Sequence, residues 1–145
     1  MEEEAQTAST AKGDSLMRLK KRSRAIIALS RTPAFNDILK GFLQEDGYGR
    51  VFTTTFPDEV IEFLRQPNLG VLLLDGNMGI VEALEFVVRL RSLIGQLPPI
   101  ILAAEDISTA VVLAARRNGI TQLVVRPYAL DATFSTLLSE QIGPK

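Results

Sequence analysis

Asp75 ends the apolar run Val71-Leu72-Leu73-Leu74-Asp75 and is followed by Gly76-Asn77-Met78-Gly79. A carboxylate at the C-terminal end of a buried strand sits where open α/β sheets place their chemistry. The equivalent positions after the other apolar runs are Ser30 and Arg31, Ala103 and Ala104, and Arg126. Together they supply one carboxylate, two guanidinium groups, a hydroxyl and two methyls. The question is whether the carboxylate has the company it needs to react.

Much of that company is missing. The chain has no histidine and no cysteine. This removes imidazole as base, nucleophile or ligand, and thiolate as nucleophile or zinc ligand. No GxxxxGK[ST] and no GxGxxG follows a strand, so a phosphate-cradling loop has no support. A divalent cation needs several hard oxygen ligands. Asp75 would be nearly alone there, with Arg31 placing a like charge beside the ion. Glu105 and Asp106 follow the fourth apolar run and read as ordinary loop acids. With no nucleophile–base pair at these strand ends, an enzyme is not expected.

The elements that must position these residues are regular. At 145 residues and 46% apolar content the chain is one domain with a sizeable core. Residues 1–23 read as a flexible tail, with Leu16, Met17 and Leu19 able to form one short helical turn. Residues 24–145 form the domain. Ala25-Ile26-Ile27-Ala28-Leu29 is apolar throughout, as in a strand buried on both faces. Thr32-Pro33 opens a helix with Phe35, Ile38, Leu39, Phe42 and Leu43 on one face, and Gly47 closes it. Arg50–Phe56 is a more polar strand, expected at a sheet edge. Pro57 opens a second helix, and Gly70–Leu74 is the third strand.

A helix at about Val81–Leu93 follows, then the strand Ile100–Ala104. Asp106 or Ser108 caps a helix that stops at Asn118-Gly119. Leu123-Val124-Val125 is the fifth strand, and a last helix carries Leu130, Phe134, Leu137, Leu138 and Ile142. Strict alternation of short apolar strands and helices predicts an α/β fold. The expected form is a flavodoxin-like (βα)5 three-layer sandwich, with a five-stranded parallel sheet in the order 2-1-3-4-5.

Charge and hydropathy narrow the partners. The formal net charge is −1, which favours neither nucleic acid nor a membrane surface. No apolar run approaches the roughly 20 residues of a membrane span, and the start Met-Glu-Glu-Glu is unlike a secretory signal. A cytoplasmic protein is expected. Residues 1–24 carry six bases against four acids, with Arg18, Lys20, Lys21, Arg22 and Arg24 clustered. The cluster offers no aromatic side chain to stack on a base, so it reads as a solvated arm.

With these residues in place, positions of about 24–142 resemble the receiver domain of bacterial two-component response regulators. The resemblance rests on the alternation itself and on Leu-Leu-Leu-Asp75-Gly-Asn-Met. It also rests on Phe42-Leu43 with Gly47-Tyr48, on Pro98–Ala104, on Gly119, and on Val125-Arg126-Pro127-Tyr128. It implies that Asp75 is the phosphoacceptor position, fed from a sensor kinase histidine with magnesium balancing charge. It implies that Asn77 offers a backbone carbonyl to the metal. It also implies a cis-proline after Arg126 that aims the arginine inward.

The departures from the family pattern are specific. Ser30 and Arg31 stand where the family has two adjacent acids. Ala103 stands where it has Thr or Ser, and Arg126 where it has lysine. Leu123 stands at the aromatic switch position, and Gly79 where a proline is usual. Losing two anionic ligands costs a magnesium site several kcal/mol, at a factor of ten in affinity per about 1.4 kcal/mol. The expectation is therefore a degenerate receiver, or pseudo-receiver, without a magnesium cofactor. It would work by protein–protein contact, with phosphorylation weak or absent. The alternative is a working phosphorelay receiver phosphorylated on Asp75. Arg31 is expected either to fill the metal position and pair with Asp75 or to point into solvent. Arg126 is expected to contact Asp75 rather than point into solvent, through one guanidinium nitrogen or two.

The partner expected is a protein, either a histidine kinase or a downstream effector. The helix over Val111–Arg117 has five consecutive apolar residues, which cannot all face one core. With the fifth strand and the last helix it forms a candidate face for a homodimer. Val81 and Val88 raise a weaker version of the same question.

Overall fold

The computed structural model describes residues 15–75, 79–105 and 107–142. The expectation for Asn77 and the capping alternative at Asp106 lie outside these residues. The elements are α1 (15–23), β1 (Ala25–Leu29), α2 (Pro33–Glu45), β2 (Arg50–Thr54), α3 (Pro57–Phe63) and β3 (Leu69–Asp75). They continue with α4 (Ile80–Ile94), β4 (Ile100–Ala104), α5 (Thr109–Arg117), β5 (Gln122–Val125) and α6 (Ala132–Ile142). All strand pairings are parallel, and the sheet order is β2-β1-β3-β4-β5. The flavodoxin-like α/β architecture expected from the alternation is the one observed.

The central strands are buried along almost their whole length. Their side chains alternate between two cores, as the pleat requires. Ile27, Leu29, Leu72, Leu74, Ile100 and Leu102 face α3, α4 and α5. Ile26, Ala28, Val71, Leu73 and Ile101 face α2 and α6. The edge strands β2 and β5 are only partly buried, because each has a neighbour on one side alone. Leu39 and Leu43 anchor α2, and Phe134, Leu138 and Ile142 anchor α6; all five are 4% exposed or less.

The helix ends follow local chemistry. After α2, Gly47 takes φ 102°. Its N–H donates to the Gln44 carbonyl and the Tyr48 N–H to the Leu43 carbonyl, which is a Schellman cap. Gly119, at φ 75°, repeats the pattern after α5, with its N–H on Arg116 and that of Ile120 on Ala115. Ser108 begins α5, and its Oγ accepts from the Val111 N–H at 3.2 Å.

The sequence predicts a tail with one helical turn before β1, whereas residues 15–23 are a helix. The physical reason is docking. Met17 packs on the α2/α6-side core, and Lys21 lies 3.4 Å from Asp46 Oδ1 and 5.4 Å above the Tyr48 ring. A helix too short to persist alone is held by its tertiary contacts.

Candidate functional site

Asp75 closes β3 in register with Ala103 of β4. By the alternation of β3 it continues the side of Val71 and Leu73, which is the α2/α6 side of the sheet. Its side chain is 3% exposed. A carboxylate that deep must be compensated, because an unpaired buried ion costs several kcal/mol.

Arg126 supplies the compensation. It follows β5, and its N–H donates to the Ala104 carbonyl at 2.8 Å, which fixes the backbone beside the end of β4. The Arg126–Pro127 bond is cis. Arg126 Nε lies 2.7 Å from Asp75 Oδ1, while Nη1 lies 3.5 Å from Glu105 Oε1. The guanidinium therefore lies between two carboxylates, those of Asp75 and Glu105. Glu105, one residue beyond β4, is exposed and draws the outer nitrogen toward solvent.

Arg31 does not join them. Its Nη2 lies 3.0 Å from Glu82 Oε2 in the first turn of α4, and both side chains are more than half exposed. Glu82 lets the guanidinium pair while it stays hydrated, whereas Asp75 is buried and already held by Arg126. The expectation that Arg31 fills the metal position and meets Asp75 is replaced by this surface pair.

Ser30 is 3% exposed and serves the turn after β1. Its Oγ accepts from the Thr32 N–H at 3.2 Å and its carbonyl from Asn36 Nδ2 at 3.4 Å. Ala103 is fully buried and places a methyl where a hydroxyl would face the end of β3. Leu123 pairs with Leu102 and packs on the opposite core, toward α5. The switch position is thus on the other side of the sheet from the Asp75 contacts.

Tyr128 is the residue that sequence reasoning missed. Its hydroxyl donates to Asp75 Oδ2 at 3.3 Å. Its ring meets Phe35 edge-on at 5.8 Å and stacks on Phe134 at 5.4 Å. Burial pushes the phenol well above its usual range, the Asp75 charge and hydrogen bond add to this, and Arg126 opposes them. The signal was present in Arg126-Pro127-Tyr128, where an arginine and a tyrosine two apart flank a proline after a strand. Asp75 is thus held by a cation on one oxygen and a phenol on the other.

A solved response regulator from Thermotoga maritima superposes with a TM-score of 0.69 at 17% identity, covering 83% of this chain and 98% of that one. The chemotaxis protein CheY4 of Vibrio cholerae gives 0.67 at 21% identity, covering 82% and 98%. A putative pilus assembly-related protein of Burkholderia pseudomallei gives 0.66 at 20% identity, covering 85% and 94%. At such identities these likenesses concern the fold. No curated protein matches the chain. The profile of the response regulator receiver domain matches residues 26–137, most of the chain, which therefore belongs to the response regulator receiver domain family.

Proposed function

We propose that this receiver domain signals through protein–protein contact and that magnesium-dependent phosphorylation of Asp75 is weak or absent. The observation that carries the reading is the 2.7 Å contact of Arg126 Nε with Asp75 Oδ1. It places a cation on one of the two oxygens that could receive a phosphoryl group. Tyr128 holds the other oxygen.

The donor set also argues against magnesium. At the two positions where the family has acids there are a hydroxyl engaged in a turn and a guanidinium paired with Glu82. Among the described residues no three acidic side chains converge. A hard cation that dehydrates reluctantly needs more anionic oxygen than one carboxylate already shared with arginine.

Receiver domains act on protein partners such as kinases or effectors, and a histidine kinase or a downstream effector is the partner class proposed here. Among the described residues no helix is long and apolar enough to cross a membrane. The face supporting a partner or a second copy is formed by α5, β5 and α6. Leu113 and Val125 are 47% and 56% exposed there, and Ile107, Val112 and Leu123 line a groove beside them.

The test is incubation of the protein with magnesium and acetyl phosphate, or with beryllofluoride, followed by intact mass and amide spectra. An unchanged mass and spectrum at high donor supports the proposal. A phosphate adduct that disappears in Asp75→Ala replaces it with the phosphoacceptor reading.

A further inference from the structure

The two edges of the sheet are finished differently. β2 opens with a charged residue, Arg50. The Gly49 N–H before it donates to the Lys21 carbonyl at 3.0 Å, which ties α1 across its start. β5, Gln122-Leu123-Val124-Val125, holds no charge and no proline. It pairs with β4, and among the described residues no strand lies along its outer side. Backbone N–H and C=O groups on that side point away from the sheet and form a template for a further strand. Val125 is 56% exposed.

Each face of this edge carries a groove. On the α5 side, Leu123 lines a groove of 250 Å³ with Val112, Ala115 and Ile120. On the α6 side, Val124 lines one of 230 Å³ with Tyr128, Phe134 and Leu137. Consecutive residues of β5 thus open onto opposite grooves, as the pleat requires. Both grooves are smaller than the roughly 300–1,000 Å³ of small-molecule sites, and they suit single side chains. A strand laid along β5 sends alternate side chains into the two grooves while its backbone extends the sheet.

The grooves select a lone segment over a second copy. The β5 of another copy arrives with its own Leu123 and Val124 packed against its own cores, so it leaves both grooves unfilled. Charge then sets the direction. Arg116 lines the α5-side groove beside Gln122, at the start of β5, and Asp131 lines the α6-side groove beyond its end. Antiparallel pairing is the slightly more stable kind per residue, and a segment running that way meets Asp131 first and Arg116 last. We propose that the outer edge of β5 takes an antiparallel strand from a partner protein. The segment has a base, a run of apolar residues as long as β5, and then an acid. The proposal rests on the reading of α5, β5 and α6 as the partner face, and adds how the partner binds there.

The experiment titrates the isotope-labelled full chain with a capped synthetic peptide of lysine, valine, leucine, valine, leucine and glutamate, in that order. A control peptide has the same residues with alternate backbone nitrogens methylated, which keeps the side chains and removes the pairing donors. Expected are backbone contacts between peptide and β5 and slowed amide exchange in β5. Affinity is expected to fall about tenfold or more for the methylated peptide, and likewise in Arg116→Glu. Arg116 is exposed in the last turn of α5, so its replacement spares the core, and the methylated peptide tests the pairing with no variant at all. Shifts at Leu113 and Val125 with equal affinity for the methylated peptide overturn strand addition and leave α5, β5 and α6 as a partner face. No shift anywhere on that face overturns both. Unweakened binding by folded Arg116→Glu overturns the direction and with it the proposal. Self-association of the chain alone, with slowed exchange in β5, assigns the edge to a second copy and overturns it too.

Discussion

Tyr128 and Arg126, two residues apart across a cis-proline, hold the two oxygens of the same buried carboxylate, at 3.3 Å and 2.7 Å. This arrangement makes Asp75 a structural anchor between β3 and the segment after β5. Arg126→Met removes the cation and leaves the carboxylate buried without it. The expected loss is about 3 kcal/mol in urea unfolding, since breaking one side of a buried pair strands the other charge. Asp75→Asn in the same background recovers much of the loss, and the double-mutant cycle reads the coupling. Equal stability of Arg126→Met and the parent protein would contradict the anchor.

Burial of two phenols sets an alkaline pH dependence. Tyr128 and Tyr48 both titrate above the ordinary phenol value in the folded state, each through burial first, with Asp75 and Asp46 respectively adding to it. The unfolded chain releases these protons near pH 10 while the folded chain keeps them. Between the unfolded and folded values the native state binds more protons, so stability falls as pH rises. The contribution is complete below pH about 10 and declines above it. Tyr128→Phe flattens that decline and keeps the rings of Phe35 and Phe134 in contact. Urea midpoints from neutral to alkaline pH, with phenolate absorbance as the direct probe, measure both.

What the sequence could reveal was whatever a local pattern encodes. Four apolar runs and the more polar Arg50–Thr54, alternating with helices, revealed strand number, parallel pairing and an edge position, because burial on two faces writes itself into consecutive residues. Asp75 and Arg126 were readable as neighbours because both lie at strand ends on the same rim. The choice between Glu82 and Asp75 for Arg31 was not readable, since it depends on which carboxylate keeps the guanidinium hydrated. The position of Tyr128 depends on ring packing against Phe134 of the next helix and against Phe35, which comes from a helix far away in the chain. Helix α1, over 15–23, was readable only as one short turn, because its apolar residues Leu16, Met17 and Leu19 do not recur along its second half. Lys21 docks it through Tyr48 and Asp46, a contact no periodicity announces.

Restoring carboxylates at the rim tests the proposal that the missing acids weaken magnesium binding. Ser30→Asp with Arg31→Asp supplies two anionic oxygens near Asp75. Position 30 is 3% exposed, so without metal a new carboxylate there is buried beside another and lowers stability. With millimolar magnesium the melting temperature is expected to rise with cation concentration, as it must for a ligand that binds only the folded state. The parent protein is expected to show no such dependence. A melting temperature indifferent to magnesium in the double variant would mean that Arg126, not the missing acids, controls the site. Adding Arg126→Lys would then be the change that restores the response.

The α5–β5–α6 face is tested by charge. Leu113 and Val125 are exposed apolar side chains on neighbouring elements. Leu113 and Val125 are about half exposed, so Leu113→Glu and Val125→Glu are each expected to cost no more than about 1 kcal/mol. If copies of the chain meet through this face, a carboxylate at its centre is desolvated without a partner. Sedimentation should then show the variants dissociating at concentrations where the parent self-associates. An unchanged association constant in both variants would remove this face as the interface, while leaving the Asp75–Arg126 anchor untouched.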